Sequence, residues 1–261
     1  MERPADTIVF FHAHPDDEVV LTGGSIARAA AEGRRVVLVV ATNGEHGEVP
    51  ADLAEGETIV ERRRKETERS AEILGIDHVL WLGYGDSGMT GWDQNANPGS
   101  LWQADVDEAG ARLAKLLDAE HADVLVTYDW HGGYGHPDHV KAHRVGHRGA
   151  AVAGTPSVLE ATFSRDAMRA YAGVGGEEWD PDALADDGNP FGTPEIEIHY
   201  AVDVSDYVEH KRRALACHAS QTSDAGAMLA MPVEIFAAVF GTEWFIEPGR
   251  PPGLLRAWPF A

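Results

Sequence analysis

Short apolar runs alternate with longer segments of helical spacing from Thr7 to Ala153, and this alternation restricts the fold more than any other feature of the chain. Thr7–His12, Val36–Ala41, His78–Leu82 and Asp123–Thr127 read as strands, each a brief apolar run. Between them lie Gly24–Glu32, Ala-rich and stopped by Gly33, and Glu57–Leu74, highly charged and stopped by Gly75. Val106, Ala109, Leu113, Leu116 and Leu117 recur at helical spacing, which predicts an amphipathic helix over Asp105–Ala119, and another is expected from about Pro137 to Ala153. Gly173–Pro194, rich in Gly, Asp and Pro, reads as a surface loop, and Glu195–Val204 as one more strand. Ser205 is expected to cap a helix running to about Ser220. This β-α-β-α order predicts an α/β fold with a mostly parallel sheet and helices on both faces. Ligands of such sheets bind beyond the carboxyl ends of the strands. The 261 residues are enough for one large domain and too few for two with a linker, so a single domain over 1–261 is expected.

Two segments fall where that fold places its functional loops. The first, His14-Pro15-Asp16-Asp17-Glu18, stands at the end of the first predicted strand. Three successive acids repel one another, and a nearby cation relieves the repulsion. His14 and Asp17, three residues apart in a turn entering a helix, share one side, and imidazole and carboxylate suit a borderline metal such as zinc. Asp16 points elsewhere, in a direction suited to facing a metal-held water. The competing reading is a solvated acidic turn whose aspartate caps the next helix. The second segment, Gly132-Gly133-Tyr134-Gly135-His136-Pro137-Asp138-His139, follows the fourth predicted strand, with proline suited to the first turn of a helix. His14, Asp17 and one further histidine then give three protein ligands and an open position for water, the pattern of a catalytic rather than a structural site. Spacing leaves that histidine open. His139, His143 and His147 recur every four residues on one helix face, and His136 is close by. His143 and His147 read as surface or partly buried helix residues.

Composition excludes several other classes. Acids outnumber bases 43 to 21, for a net charge of -22, which argues against a nucleic-acid backbone or an anionic membrane surface as partner. No stretch approaches the ~20 apolar residues of a membrane-spanning helix. Met1–Phe10 carries acids and a proline before its first apolar run, unlike a secretory signal, so the cytoplasm is the expected compartment. The one cysteine, Cys217, rules out an internal disulfide and a four-cysteine zinc site, and reads as a small packing residue. Gly23-Gly24-Ser25 lacks both the GxGxxG pattern and a phosphate-loop lysine, so it is a weak nucleotide signal.

The paired HPDD and HPDH motifs resemble those of the LmbE-like superfamily of metal-dependent de-N-acetylases. That superfamily includes the N-acetylglucosaminyl-phosphatidylinositol de-N-acetylases and the deacetylases and amidases of mycothiol metabolism. Thr127-Tyr128-Asp129 and the GGYGHPDH string look most like the mycothiol-pathway deacetylase branch. Weaker matches at Asn43-Gly44-Glu45, Arg63–Glu66, Asp86-Ser87-Gly88-Met89 and His218-Ala219-Ser220-Gln221 extend the resemblance from about Ile8 to Gln221. It implies a Rossmann-like sheet with an irregular C-terminal part. It also implies that His14, Asp17 and His139 bind the metal, zinc or alternatively iron(II) or cobalt(II). Asp16 would be the general base and His136 would stabilise the oxyanion, with either His136 or the protonated Asp16 supplying the proton to the leaving amine. Asp138 would fix a histidine tautomer, Tyr134 would help polarise the amide carbonyl, and Arg63 and Asp86 would contact the sugar.

The expected reaction is removal of an N-acetyl group from an N-acetylglucosamine-type conjugate, releasing acetate and a free amine. The alternatives are an amidase acting on a larger acyl group of an amino-sugar conjugate, and a non-catalytic metal- or nucleotide-binding α/β protein. Three polar loops, Asn43–Glu57, Gly83–Gln103 and Gly173–Pro194, are expected to ring the site. Their Trp92, Trp102 and Trp179 suit either the apolar faces of a sugar or small local cores. With no basic pocket beyond Arg62–Lys65, the expected partner is a small soluble amino-sugar glycoside rather than a membrane lipid or nucleic acid. A homo-oligomer is left open.

Overall fold

The computed structural model describes residues 6–171 and 183–260. Its first half follows the alternation: β1 (Thr7–His12), α1 (Asp17–Ala31), β2 (Arg35–Thr42), α2 (Ile59–Leu74), β3 (His78–Tyr84), α3 (Val106–Glu120), β4 (Val124–Tyr128) and α4 (Pro137–Ala153). Then come β5 (Ser157–Thr162), α5 (Arg165–Tyr171), β6 (Tyr200–Asp203), α6 (Val208–Leu215), α7 (Asp224–Ala230), α8 (Val233–Phe240) and β7 (Thr242–Ile246). These strands form one sheet in the order β3-β2-β1-β4-β5-β7-β6. The first five are parallel, and β7 runs antiparallel to both β5 and β6. This is the α/β architecture with a mostly parallel sheet that the sequence predicts.

Burial explains why β1 and β2 lack polar alternation. Both are central, covered on both faces, and solvent-inaccessible along almost their whole length. Helices α3 and α4 pack on each other, and α1 packs against α2 and α6. The strand order runs outward from β1 to β3 on one side and from β4 on the other. The crevice beyond the carboxyl ends of β1 and β4 is therefore the switch point of the sheet, where such folds take their ligands. Both histidine–aspartate motifs open onto it.

Several elements depart from expectation. Helix α1 begins at Asp17, well before Gly24, because Asp17 and Glu18 in its first turn complement the helix dipole. Gly23 and Gly24, poor helix formers on propensity, lie within α1, where a Cβ on Gly24 would strike Val204 at 2.5 Å. The amides of Gly24 and Ser25 donate to the Glu243 carboxylate at 2.8 Å each, and Glu243 pairs with the buried Lys211 at 2.7 Å. Gly24 and Ser25 thus bind an internal carboxylate. Glu195–Val204 divides into a 3₁₀ turn, Glu195–Glu197, and β6. Ser205 makes no side-chain cap. Its amide donates to Asp203 Oδ1 at 2.9 Å, a short 3₁₀ turn intervenes, and α6 ends at Leu215. Residues 183–194 are turns and loop, while 173–182, with Trp179, lie outside the described residues. Among the described residues no helix is long and apolar enough to cross a membrane.

Candidate active site

The turn between β1 and α1 carries His14, Asp16 and Asp17, and the loop between β4 and α4 carries Tyr134, His136, Asp138 and His139. His14 Nδ1, Asp17 Oδ2 and His139 Nε2 lie at the corners of a triangle whose three edges are each 3.3 Å. A tetrahedral ion with bonds of about 2.0–2.1 Å spaces its ligand atoms about 3.3–3.4 Å apart. The three atoms therefore fit one face of such a site. Spacing alone left the third histidine open, and the fold brings His139 to this corner of the triangle.

Neighbouring groups set the tautomers this arrangement needs. His14 turns Nε2 to Asp138 Oδ2 at 3.2 Å, leaving the Nδ1 lone pair for the triangle. His139 turns Nδ1 to the carbonyl of Gly132 at 3.0 Å, leaving Nε2. Such partners orient metal-binding imidazoles and raise their basicity. Asp138 is in turn fixed by the Ser87 amide at 2.8 Å and the Ser87 hydroxyl. Asp17 Oδ2 accepts from the Tyr128 hydroxyl at 2.7 Å and from the His14 amide at 2.8 Å. Despite its burial, His139 and His14 hold Asp17 well below the usual carboxylate range.

Asp16 has φ 101° and ψ -30°, a conformation that costs a non-glycine residue energy and is characteristic of functional turns. It stands at the start of α1 but makes no side-chain cap, which removes the capping alternative. Its carboxylate meets the Arg63 guanidinium at 3.0 Å, and its amide donates to Glu18 Oε2 at 2.9 Å. Glu18 is buried and fixed by the Ser70 hydroxyl at 2.7 Å and by His218 Nε2 at 2.9 Å. Burial raises the Asp16 pKa to about 6 against the opposing charge of Arg63.

His136 caps α4: its Nδ1 accepts from the Asp138 amide at 3.1 Å, so its proton resides on Nε2. Burial and the neighbouring His14 and His139 hold it well below the ordinary histidine range, so it is a neutral donor. Asp138 makes its bond to His14, which identifies the histidine whose tautomer it fixes. The Tyr134 ring stands edge-on to His139, centroids 4.9 Å apart. Asp86 Oδ1 is 3.6 Å from His14 Nε2 and accepts from the Gly88 amide at 2.8 Å. Burial works against its charge, and His14 and the amide outweigh it, holding the carboxyl far below its usual range. Arg63 is buried, its remaining bonds going to the carbonyls of Pro15, at 2.5 Å, and Gly44, at 2.8 Å. It borders the site from behind Asp16.

The sequence reading gave no role to Tyr128, Ser87, Glu18 or His218. Three of them fall in strings quoted for the resemblance, and Glu18 ends the first motif. Trp102 and Trp130 line a cavity of about 450 Å³ with Asn95, His131, Arg144 and Asp187, on the far side of the His136 loop. Trp92 is half exposed against Gly88. The loop at 183–194 joins the ring around the site through the Asp186 amide, which donates to the Tyr134 carbonyl at 3.0 Å.

Fold and site together define an α/β protein with a histidine–carboxylate centre at the sheet's switch point. The chain belongs to the GlcNAc-PI de-N-acetylase family, PIG-L, whose model matches residues 9–149. The resemblance read from the two motifs is thereby borne out. Among relatives, a 1D-myo-inositol 2-acetamido-2-deoxy-alpha-D-glucopyranoside deacetylase of Thermobifida fusca is 39% identical over 94% of this chain and 95% of that protein. A protein of the same description from Nocardiopsis dassonvillei is 37% identical over 90% and 91%. Among solved structures, the N,N'-diacetylchitobiose deacetylase of Pyrococcus horikoshii matches with a TM-score of 0.60 at 23% identity, covering 94% of this chain and 86% of that one. A 4-carboxy-2-hydroxymuconate hydratase of Pseudomonas putida matches at 0.58 and 19% identity over 97% and 100%. At such identities the likeness is one of fold, and the hydratase illustrates that this fold carries more than one chemistry.

Proposed function

We propose that the chain is a metal-dependent hydrolase that removes the acetyl group from an N-acetylglucosamine conjugate of the glucosaminyl-inositol type, with His14, Asp17 and His139 as ligands. The 3.3 Å triangle of these three ligand atoms carries the reading. The relatives' shared description, over nearly the whole chain, supports the substrate class. Zinc suits the two imidazoles and one carboxylate, and iron(II) and cobalt(II) suit them as well. An ion bound there supplies Lewis acidity and lowers the pKa of water from 15.7 toward about 7.

The chain's own residues divide the remaining work. Asp16, beside the triangle and poised near neutrality, takes the proton of the attacking water. His136, neutral with its proton on Nε2, donates to the carbonyl oxygen as negative charge develops there, a contribution of about 3–4 kcal/mol for one oriented donor. The C–N bond breaks only when the nitrogen is protonated, since an amide anion is a very poor leaving group. Protonated Asp16 returns its proton to that nitrogen, so acetic acid and a neutral amine form and the base is regenerated; the acid then gives up its remaining proton, leaving acetate and an ammonium group. Asp138 and the Gly132 carbonyl keep the two imidazoles in their ligating tautomers, and Arg63 and Glu18 keep Asp16 in its strained turn. Tyr134 borders the same space and is assigned to the carbonyl side, with Asp86 on the sugar side. Arg63 acts on the substrate through Asp16.

The test is acetate release by zinc-loaded protein from the inositol-linked N-acetylglucosaminide, from N,N'-diacetylchitobiose and from a longer-chain N-acyl analogue. Preference for the inositol conjugate is expected. Preference for the longer acyl group would make the chain an amidase, and no release from any of them would end the reading.

A further inference from the structure

Below His139 on α4, His143 and His147 follow at intervals of four residues and turn toward β5. His147 Nε2 is 2.7 Å from Glu160 Oε1, and His143 Nδ1 is 3.6 Å from the same oxygen. The two imidazole centroids are 4.5 Å apart. A ligand atom from each of the three side chains lies within 4.8 Å of the others. Neither histidine faces the catalytic triangle, and Glu160 takes no part in it.

We propose that His143, His147 and Glu160 form a second divalent transition-metal site, outside the catalytic centre, for an ion of the zinc type. Two imidazoles and one carboxylate are a donor set that zinc and its neighbours accept readily. An i, i+4 histidine pair places both rings on one helix face, one turn apart. Glu160 enters from a neighbouring strand, so the three donors are held by two rigid elements rather than by a mobile loop. His143 Nδ1 also lies 3.0 Å from the Tyr128 carbonyl, which fixes the orientation of the ring. Burial holds His143 below the ordinary histidine range, so the ring is neutral and its lone pair available. The Glu160 side chain is only 11% exposed, and both imidazoles face its carboxylate. A cation there would balance the charge of the buried carboxylate. His147 is 34% exposed, which gives an ion a route in and water access to its remaining positions. The site also touches the catalytic centre through one residue, since Tyr128 accepts from His143 by its carbonyl and donates to Asp17 by its hydroxyl.

Metal-stripped protein dialysed against micromolar Zn2+ and counted by elemental analysis should hold two equivalents per chain. His147→Ala and the near-isosteric Glu160→Gln should each hold one, and His139→Ala should also hold one, retained at the second site. Co2+ in His139→Ala should still give a d–d absorption band that disappears in the His139→Ala, His147→Ala double variant. Circular dichroism of each variant checks that the fold persists. A wild type saturating at one equivalent that His147→Ala retains would overturn the proposal, as would two equivalents in both His147→Ala and Glu160→Gln. If the catalytic triangle itself binds no ion, the wild type and His139→Ala will each hold one equivalent and His147→Ala none. That result would overturn the catalytic ligand set of the proposed function and leave the second site standing.

Discussion

His14 Nε2 and Asp138 Oδ2, 124 residues apart in the chain, meet at 3.2 Å and join two histidine–proline–aspartate turns. Each turn supplies what the other lacks. The first offers a ligand whose tautomer is undetermined by its own surroundings, and the second offers a buried carboxylate, itself fixed by Ser87, that determines it. The pairing exists only because β1 and β4 are neighbours in the sheet.

Asp138→Asn should therefore weaken metal binding without removing a ligand. Outer-sphere carboxylates of this kind contribute about 10–100-fold in affinity. Competition against a chelator of known zinc affinity measures the change. Affinity equal to wild type would mean that the His14 tautomer is fixed by something other than Asp138.

Asp16→Asn should keep the metal and lose turnover by about 10²–10⁴-fold, the usual contribution of a general base. In the wild type the base works ionised, so activity should fall as pH drops through its pKa. The Asp16 carboxyl is raised by burial to about 6, and a bound cation lowers it from there. The acid limb of kcat/KM should accordingly lie at or below about pH 6 and be absent from the residual activity of the variant. An acid limb that persists unchanged in Asp16→Asn would assign the limb to another group.

The strand–helix alternation, the two motif turns and the position of both at strand ends were legible because they depend on local pattern. What depends on distant partners was not. Strand β5 contains Glu160 in its middle and β7 contains Glu243, so neither reads as an apolar run, and their strand character comes from pairing, β5 with β4 and β7, and β7 with β5 and β6. Glu18 looked like one more repelling acid, yet it is neutralised within the fold by His218, 200 residues later. Tyr128 ends a strand that was recognised, but nothing local indicates that its hydroxyl reaches Asp17. The capping reading of Asp16 failed for the same reason, since Arg63 and Glu18 rather than the helix end decide where its polar atoms point.

Lys211→Met tests the internal carboxylate at the glycine pair. Lys211 and Glu243 are both buried, and removing one partner leaves the other charge uncompensated, a loss of about 3–5 kcal/mol in comparable pairs. Urea unfolding should show that loss, and a Lys211→Met, Glu243→Gln double variant should recover part of it, because the amide still accepts from the α1 backbone without a buried charge. A double variant less stable than Lys211→Met would show that Glu243 is held chiefly by the Gly24 and Ser25 amides and not by the lysine.

Arg63→Met separates the arginine's effect on Asp16 from any direct contact with a sugar. The guanidinium is 3.0 Å from the Asp16 carboxylate and lowers its pKa, against burial, which raises it. Without Arg63 that pKa rises, so the acid limb of kcat/KM should move to higher pH while its shape is kept. A sugar contact would behave differently, raising KM evenly across the pH range. Arg63 also accepts the structural task of holding the Pro15 and Gly44 carbonyls, so the variant should melt at a lower temperature. Partial unfolding scales the whole profile down and does not move the limb, which makes the limb position the decisive reading. A limb that stays in place, together with a KM increase alone, would put Arg63 at the substrate and leave Asp16 to be tuned by its remaining neighbours.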